Sequence, residues 1–497
     1  MPNEYTPFPF QATGVDWLRS QRTNGYGFTA EPLTGLLGDE MGLGKTAQAL
    51  LALKPEVIKG KRFLLLVPGA TLPQWQRNWD RWILDCEPDE FGADGLYALR
   101  GSESSIPKGF SCIASHSMMA KAKFVEACIA ANFDGCIIDE AHKFGGRDTK
   151  RIKHLWVLRN LSKSKFQSAR IALTGTPTRN YAGEIYNLLH FIAPHQFRNT
   201  EAFDRKYLTF DGKSLWNVAQ FHADIKPFYL RRTVAEVQKD LPKHRITKLY
   251  TDITDPYIKM LYNKEVDALE NFMERGSMLS TETSDGPQSL LGYLVKLRHL
   301  TGIAKAKEPS IIEPISDYLV AASQRVETTN DSANEVNGNK VAIGLIHRLV
   351  ADRLEKSLIN EIPDLKIQRL QGGMTPTEKD NSIKSFIAEP APCAMLCNME
   401  AGGAGIDGLQ TVCSRSYVFE RMWNGADEEQ FEKRISRTGQ KWNTETVYTI
   451  ASGTIDEFFD DMVEQKRKIT GNVHDEDWEL NGKAMRDLAQ RIVMGRL

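Results

Sequence analysis

Lys45 and Thr46 close a glycine-rich run, Gly38-Asp-Glu-Met-Gly42-Leu-Gly44-Lys45-Thr46, which follows a short apolar segment and opens a helical pattern. Such a run suits phosphate binding. Glycines let backbone N–H groups turn inward, and a helix start adds the positive end of its dipole. With Gly42 and Gly44 shaping the loop, Lys45 would reach the β- and γ-phosphates and the Thr46 hydroxyl would ligate Mg2+. Asp39 stands where the strict pattern has glycine. Farther on, Cys136-Ile-Ile-Asp139-Glu140-Ala141-His142 reads as a buried strand ending in adjacent carboxylates. Phosphoryl transfer needs one acid to hold the metal and a base to orient the attacking water. Asp139 suits the first task and Glu140 the second. Alone, either segment could be a plain strand-to-helix turn; together they point to ATP and Mg2+.

These residues need a layered scaffold to meet. Short apolar runs alternate with helical patterns in two blocks. The first holds Leu33–Leu37, Phe63–Val67, Gly135–Ile138 and Ile171–Leu173; the second holds Val341–Ile346, Ala394–Cys397, Ser416–Phe419 and Thr446–Ile450. Runs this short read as buried parallel strands, and intervening helices such as Thr46–Leu53 and Pro376–Ile387 make each block α/β. Between the blocks, Pro256–Arg275, Gln288–Leu300 and Ile311–Ser323 predict helices, with Gly276–Pro287 and Gln324–Asn339 as polar loops. Asn481–Met494 is an amphipathic tail that could pack on a lobe or touch DNA.

The order of motifs resembles the Snf2-related branch of superfamily 2 helicases from about Phe8 to Lys468. Asp39-Glu-Met-Gly-Leu-Gly-Lys-Thr46 is similar to that family's motif I, Asp39 included, and Asp139-Glu-Ala-His142 to its motif II. Leu65-Leu-Val-Pro68 with Gln74-Trp75, Ala114-Ser-His116 and Leu173-Thr-Gly-Thr-Pro177 resemble motifs Ia, Ib and III. Phe228-Tyr-Leu-Arg-Arg232 with Asp240-Leu-Pro242 resembles the segment linking the lobes. Ala401-Gly-Gly-Ala-Gly405-Ile-Asp407 resembles motif V; Trp423-Asn424, Gln430, Arg434, Arg437 and Gly439-Gln440 resemble motif VI. Two departures are Ser436, where the family often has His, and Lys379, where Arg is common.

The resemblance implies two tandem RecA-like P-loop domains with parallel sheets: an ATP-binding lobe at 1–229, a linker and helical insertion at 230–309, a second lobe at 310–470 and a tail helix at 471–497. It implies that Phe10 and Gln11 recognise adenine and that Gly405 and Asp407 join the nucleotide site. Arg434 and Arg437, spaced i, i+3, are expected on one helix face, acting as arginine fingers from the opposing lobe. Strand contacts are implied for Thr71, Ser115, His347, Gly372, Gly373 and Gly402.

With a formal net charge of −1, any nucleic-acid surface must be local. The stretch Lys143–Arg170 is basic, as a solvated helix face or a DNA contact. No apolar run reaches the length of a membrane span, no secretory signal is visible, and the seven scattered cysteines suit structural thiols better than zinc. The motif forms favour DNA over RNA. With no chromatin-reading, nuclease or zinc module evident, the resemblance points to compact phage or bacterial enzymes. The expectation is a monomer acting on duplex, forked or four-way-junction DNA in replication, recombination or repair. The expected compartment is a bacterial or phage-infected cytoplasm, or the nucleus in a eukaryote. The rivals are a translocase that displaces proteins, a non-hydrolysing ATP-dependent DNA clamp and an RNA remodeller.

Overall fold

Apolar runs with no alternation, such as Phe63–Val67, require cover on both faces, and that requirement organises each half of the chain. In the computed structural model the chain divides into two units, one running to Asp240 and one from Leu241. The structure describes all residues except 1–5, 85–95, 100–105, 108, 147–148, 163, 165, 176, 179–181, 211–213, 238–241, 275–288, 326–339, 400–407, 424, 438, 473–481 and 495–497. Among the described residues, no helix is long and apolar enough to cross a membrane.

In the first unit, β1 (Arg22–Thr23) and β2 (Thr29–Ala30) form a small antiparallel ribbon. The main sheet comprises β3 (Thr34–Leu37), β4 (Phe63–Val67), β5 (Tyr97–Ala98), β6 (Cys112–Ser115), β7 (Gly135–Ile138), β8 (Ala169–Leu173) and β9 (Tyr229–Leu230). All are parallel, in the order β5-β6-β4-β7-β8-β3-β9. Successive side chains enter opposite layers. Leu64 and Leu66 pack with Phe124, Leu155 and Leu189, whereas Phe63, Leu65 and Val67 pack with Leu18, Leu50 and Trp75. The second layer brings α1 (Pro9–Arg19), α2 (Lys45–Ile58) and α3 (Leu72–Trp79) onto one face.

The second unit has its own parallel sheet of β10 (His244–Thr251), β11 (Lys340–Leu345), β12 (Lys366–Leu370), β13 (Cys393–Asn398), β14 (Arg415–Val418) and β15 (Thr444–Ala451). Its order is β10-β15-β14-β11-β13-β12. Two parallel α/β sheets, each covered on both faces, are the RecA-like pair that the motif order implied. Cys393 and Cys397 lie on β13 with Ile383 and Phe386, where burial pushes the Cys393 thiol up to about 12.

The stretch expected as a linker, 230–309, divides between the units. Leu230 ends the first sheet, whereas β10 joins the second sheet beside β15. The helices Pro256–Glu274 and Leu290–Lys305 pack with Ile455–Asn472 and the tail helix Gly482–Met494 around Tyr262, Leu294, Phe459 and Ile492. The tail therefore packs on its own unit, with Arg491 also pairing with Asp461 at 2.8 Å. Gly276–Pro287 lies outside the described residues, as does most of Gln324–Asn339. Lys305 stitches this helical module to the sheet. Its buried ammonium donates to the carbonyls of Phe419 (2.6 Å) and Thr449 (2.9 Å) and pairs with Asp456 at 2.5 Å.

Candidate active site

In parallel α/β sheets, ligands bind outside the carboxyl ends of the strands. At that edge of the first unit, β3 leads into the loop 38–44, β7 into Asp139 and Glu140, and β8 into Thr174 and Gly175. These three strands are neighbours in the order β7-β8-β3.

The loop demands its glycines. Gly42 and Gly44 take left-handed φ of +91° and +70°, a region costly for residues with a Cβ. A Cβ on Gly44 would also fall 2.3 Å from Gln11 Nε2. Lys45 and Thr46 open α2, and Lys45 Nζ donates to the carbonyls of Asp39 (2.7 Å) and Glu40 (3.3 Å). The ammonium thus lies over the loop whose N–H groups would hold phosphate. Gln11 is buried on α1; its Oε1 accepts from Phe8 N–H at 3.0 Å and its Nε2 reaches Leu43 O at 3.4 Å. Phe10 stacks on Phe8 with centroids 5.8 Å apart.

Asp39 is fully buried and receives a two-pronged bond from Arg232: Nε to Oδ1 at 3.0 Å and Nη2 to Oδ2 at 2.5 Å. Gln48 adds Nε2 to Oδ2 at 3.1 Å and accepts from Arg232 Nη2 at 2.9 Å. Arg232 Nη1 also donates to Phe10 O at 2.5 Å. The residue that looked like a departure from a phosphate loop is therefore its anchor. Sequence reasoning missed Arg232 and Gln48 as parts of this site. The signals were the charge on Asp39 and the Arg231-Arg232 pair, but 193 residues separate the partners.

The acid pair is equally constrained. Asp139 receives Trp75 Nε1–H on Oδ2 at 2.8 Å and Glu140 N–H on Oδ1 at 3.0 Å. Burial first, then the neighbouring Glu140 charge, pushes its pKa above the ordinary carboxylate range. A buried carboxylate held by two neutral N–H donors, with the Lys45 ammonium acting on it only through its charge, keeps the negative charge that a divalent cation needs. Glu140 has a left-handed backbone, φ 45° and ψ 49°, an uncommon conformation that concentrates at functional positions. His142 Nδ1 lies 2.9 Å from Thr174 Oγ1 and 3.4 Å from Glu140 Oε2, joining the ends of β7 and β8. A Cβ on the adjacent Gly175 would lie 3.8 Å from Lys45 Nζ.

Among the expected strand contacts in this unit, Thr71 is buried, and both its N–H and its hydroxyl donate to Pro68 O at 2.9 Å. Its donors are therefore already engaged. Ser115, at the end of β6, shares a hydrogen bond with Ser117 at 2.8 Å. Within the basic stretch 143–170, Lys143, Lys150 and Lys153 are exposed. Arg159 and Arg170 are not; they turn inward to the carbonyls of His190 (2.9 Å) and Ile192 (2.7 Å).

The second unit changes one expectation. Arg434 and Arg437 do not share a helix face, because the helix Gly425–Glu432 ends before them. The chain tightens there through Arg434 N–H to Phe431 O at 3.0 Å and turns at Gly439, φ +94°. Buried Gln440 fixes that turn, donating to Ile435 O (2.8 Å) and Cys413 O (3.0 Å) and accepting from the N–H groups of Lys441 and Trp442. Both arginines are half-buried in this turn. Arg421 holds the helix from outside, forking onto Glu428 at 3.0 and 2.8 Å.

His347 precedes the helix Arg348–Glu361, with Nδ1 2.6 Å from Glu420 Oε1. Gly372 and Gly373 form an exposed turn after β12, where Gly373 has φ +89° and open space around it. Gly402, Gly405 and Asp407 lie outside the described residues.

The likenesses to known proteins run along most of the chain. An uncharacterized ATP-dependent helicase of Mycoplasma genitalium is 27% identical over 479 residues, covering 94% of this chain and 42% of that protein. The mouse SWI/SNF-related matrix-associated actin-dependent regulator of chromatin, subfamily A member 1, is 26% identical over 98% of this chain and 45% of its own length. The chain thus spans less than half of these relatives. A Sulfolobus solfataricus SWI2/SNF2 ATPase core solved with double-stranded DNA is 22% identical, with coverage of 99% and 97% and a TM-score of 0.41. The SNF2-related domain matches residues 10–302, well over half of the chain, and the protein belongs to that family.

Proposed function

We propose that the protein is an ATP-driven DNA translocase and helicase that remodels branched DNA by fork reversal, branch migration or limited unwinding, in replication, recombination or repair. The observation that carries the ATP reading is the gathering of Lys45, the acid pair and Thr174-Gly175 at one edge of the first sheet. The relatives' names add helicase activity as their own property.

In this reading, Lys45 exchanges the carbonyls of Asp39 and Glu40 for β- and γ-phosphate oxygens. Phe10 and Gln11 take the adenine. Thr46 and Asp139 would hold Mg2+, which when bound would neutralise charge on the phosphate oxygens. Glu140, steadied by His142, orients the attacking water and takes its proton. Arg434 and Arg437 stabilise negative charge as the γ-phosphoryl group leaves, and Gly405 and Asp407 contribute to the same nucleotide. Contacts to the tracked strand fall to phosphates, as a sequence-independent motor requires, with Ser115, His347, Gly372, Gly373 and Gly402 as candidates. The exposed Gly372-Gly373 turn can bring backbone N–H groups close to a phosphate.

The test is ATP turnover with single-stranded, duplex, forked and four-way-junction DNA and with RNA. Forked and junction DNA are expected to stimulate most, duplex DNA less and RNA least, with strand exchange in the junction during turnover. Stimulation by RNA alone would overturn the DNA reading. Displacement of a triplex strand without any strand exchange would overturn branch remodelling and leave a plain duplex translocase.

A further inference from the structure

Trp75 is the candidate that the nucleotide reading leaves unused. It is 1% exposed on α3, within the same apolar layer as Leu65 and Ile137. Packing alone would account for a buried indole. It does not account for the direction of its one polar atom, since Nε1–H points at Asp139 Oδ2 from 2.8 Å.

The chemistry of that bond is specific. Indole only donates, so it can orient a carboxylate without competing for it as a base. It is also neutral. A lysine or arginine in its place would cancel the charge that a divalent cation needs, whereas a neutral N–H sets the plane of the carboxylate and leaves its charge intact. With Glu140 N–H on the other oxygen at 3.0 Å, each oxygen of Asp139 has one fixed donor and further lone pairs free for metal. We propose that Trp75 is a positioning residue that holds Asp139 ready for Mg2+, an inference that rests on the nucleotide site described above. Its helix begins at Leu72, directly after the segment Gly69–Thr71, so the orientation of Asp139 is tied to the conformation of the β4-to-α3 turn.

Calorimetric titration of ADP with Mg2+ and with EDTA separates this role from packing. The wild-type protein is expected to bind ADP more tightly with Mg2+. Trp75→Phe keeps an aromatic ring and loses the donor, and should lose roughly tenfold or more of that Mg2+-dependent gain, as partners behind a metal ligand commonly do. Its affinity in EDTA should be unchanged. Trp79→Phe, in the same helix and the same core, should leave both affinities as they are. In an Asp139→Asn background, Trp75→Phe should add nothing, since the two act through one interaction. Retention of the Mg2+ gain by Trp75→Phe, or equal loss in Mg2+ and EDTA, would overturn the role. A wild-type protein without any Mg2+ gain would overturn the nucleotide–metal reading itself and this inference with it.

Discussion

Replacing Lys45 by alanine lowers DNA-stimulated ATP turnover by about a hundredfold to a thousandfold, the usual cost of removing one well-aimed donor to developing charge. Binding to forked DNA stays close to wild type. The expectation follows from geometry at the loop: the ammonium already spans Asp39 O and Glu40 O, poised where a triphosphate would lie. Arg437→Ala should cost about a thousandfold or more, the range for an arginine acting on a departing γ-phosphoryl group. Phosphate release measured beside ADP calorimetry distinguishes the two. Lys45→Ala should weaken nucleotide binding as well, whereas Arg437→Ala should act on turnover with ADP affinity largely kept. Turnover by Lys45→Ala near the wild-type rate would be incompatible with a phosphate role for this loop.

The second large effect lies behind the loop. Arg232→Ala leaves Asp39 buried with Gln48 as its remaining side-chain partner among the described residues, and breaking a buried ion pair costs about 3–5 kcal/mol. It also removes the tie from the last strand of the first sheet to the loop and to the carbonyl of Phe10. Denaturant titration should therefore show the first unit strongly destabilised. Any folded fraction should show a raised KM for ATP, because the loop has lost its anchor. Arg232→Lys should recover only part of the loss, since an ammonium cannot make the two-pronged bond. Paired Asp39→Asn and Arg232→Gln should be milder than Arg232→Ala, because no charge remains buried and unanswered. Equal stability of Arg232→Ala and the wild type would contradict the anchor.

What the sequence made legible follows from how local each signal is. Phe63–Val67 and Gly135–Ile138 are strands to the residue, because an unbroken apolar run bounded by polar residues has few other uses. The helix expected at Pro376–Ile387 is Pro376–Ala388, and the capping pair Thr375 and Glu378, which bond each other's backbone N–H, went unread. The loop 38–46 and the acids at 139–140 were readable because strand, turn and helix lie within one short segment. The strand β10 was not: His244–Thr251 is an edge strand rich in polar residues, with Ile246 and Tyr250 about half exposed, so it carries no buried run. The turn holding Arg434 and Arg437 was misread as helix, because R-x-x-R fits a helix unless the distant bonds of Gln440 are known. Arg232 with Asp39, and Trp75 with Asp139, were invisible for the same reason. Pairs that close across a sheet leave no periodic trace in the chain.

The pairing of β10 with β15 places the earliest strand of the second unit beside its last, in register from His244↔Thr444 to Thr251↔Ala451. On a ribosome this sheet stays unfinished until Ala451 has emerged, some 200 residues after β10, a high-contact-order arrangement that folds slowly. A fragment cut at residue 310 would strip β10 away and expose the flank of β15, whose eight residues are all buried. Such a bare strand edge, with its backbone N–H and C=O groups unpaired, invites pairing with other chains, so the isolated C-terminal piece should self-associate where a piece beginning at 242 stays soluble.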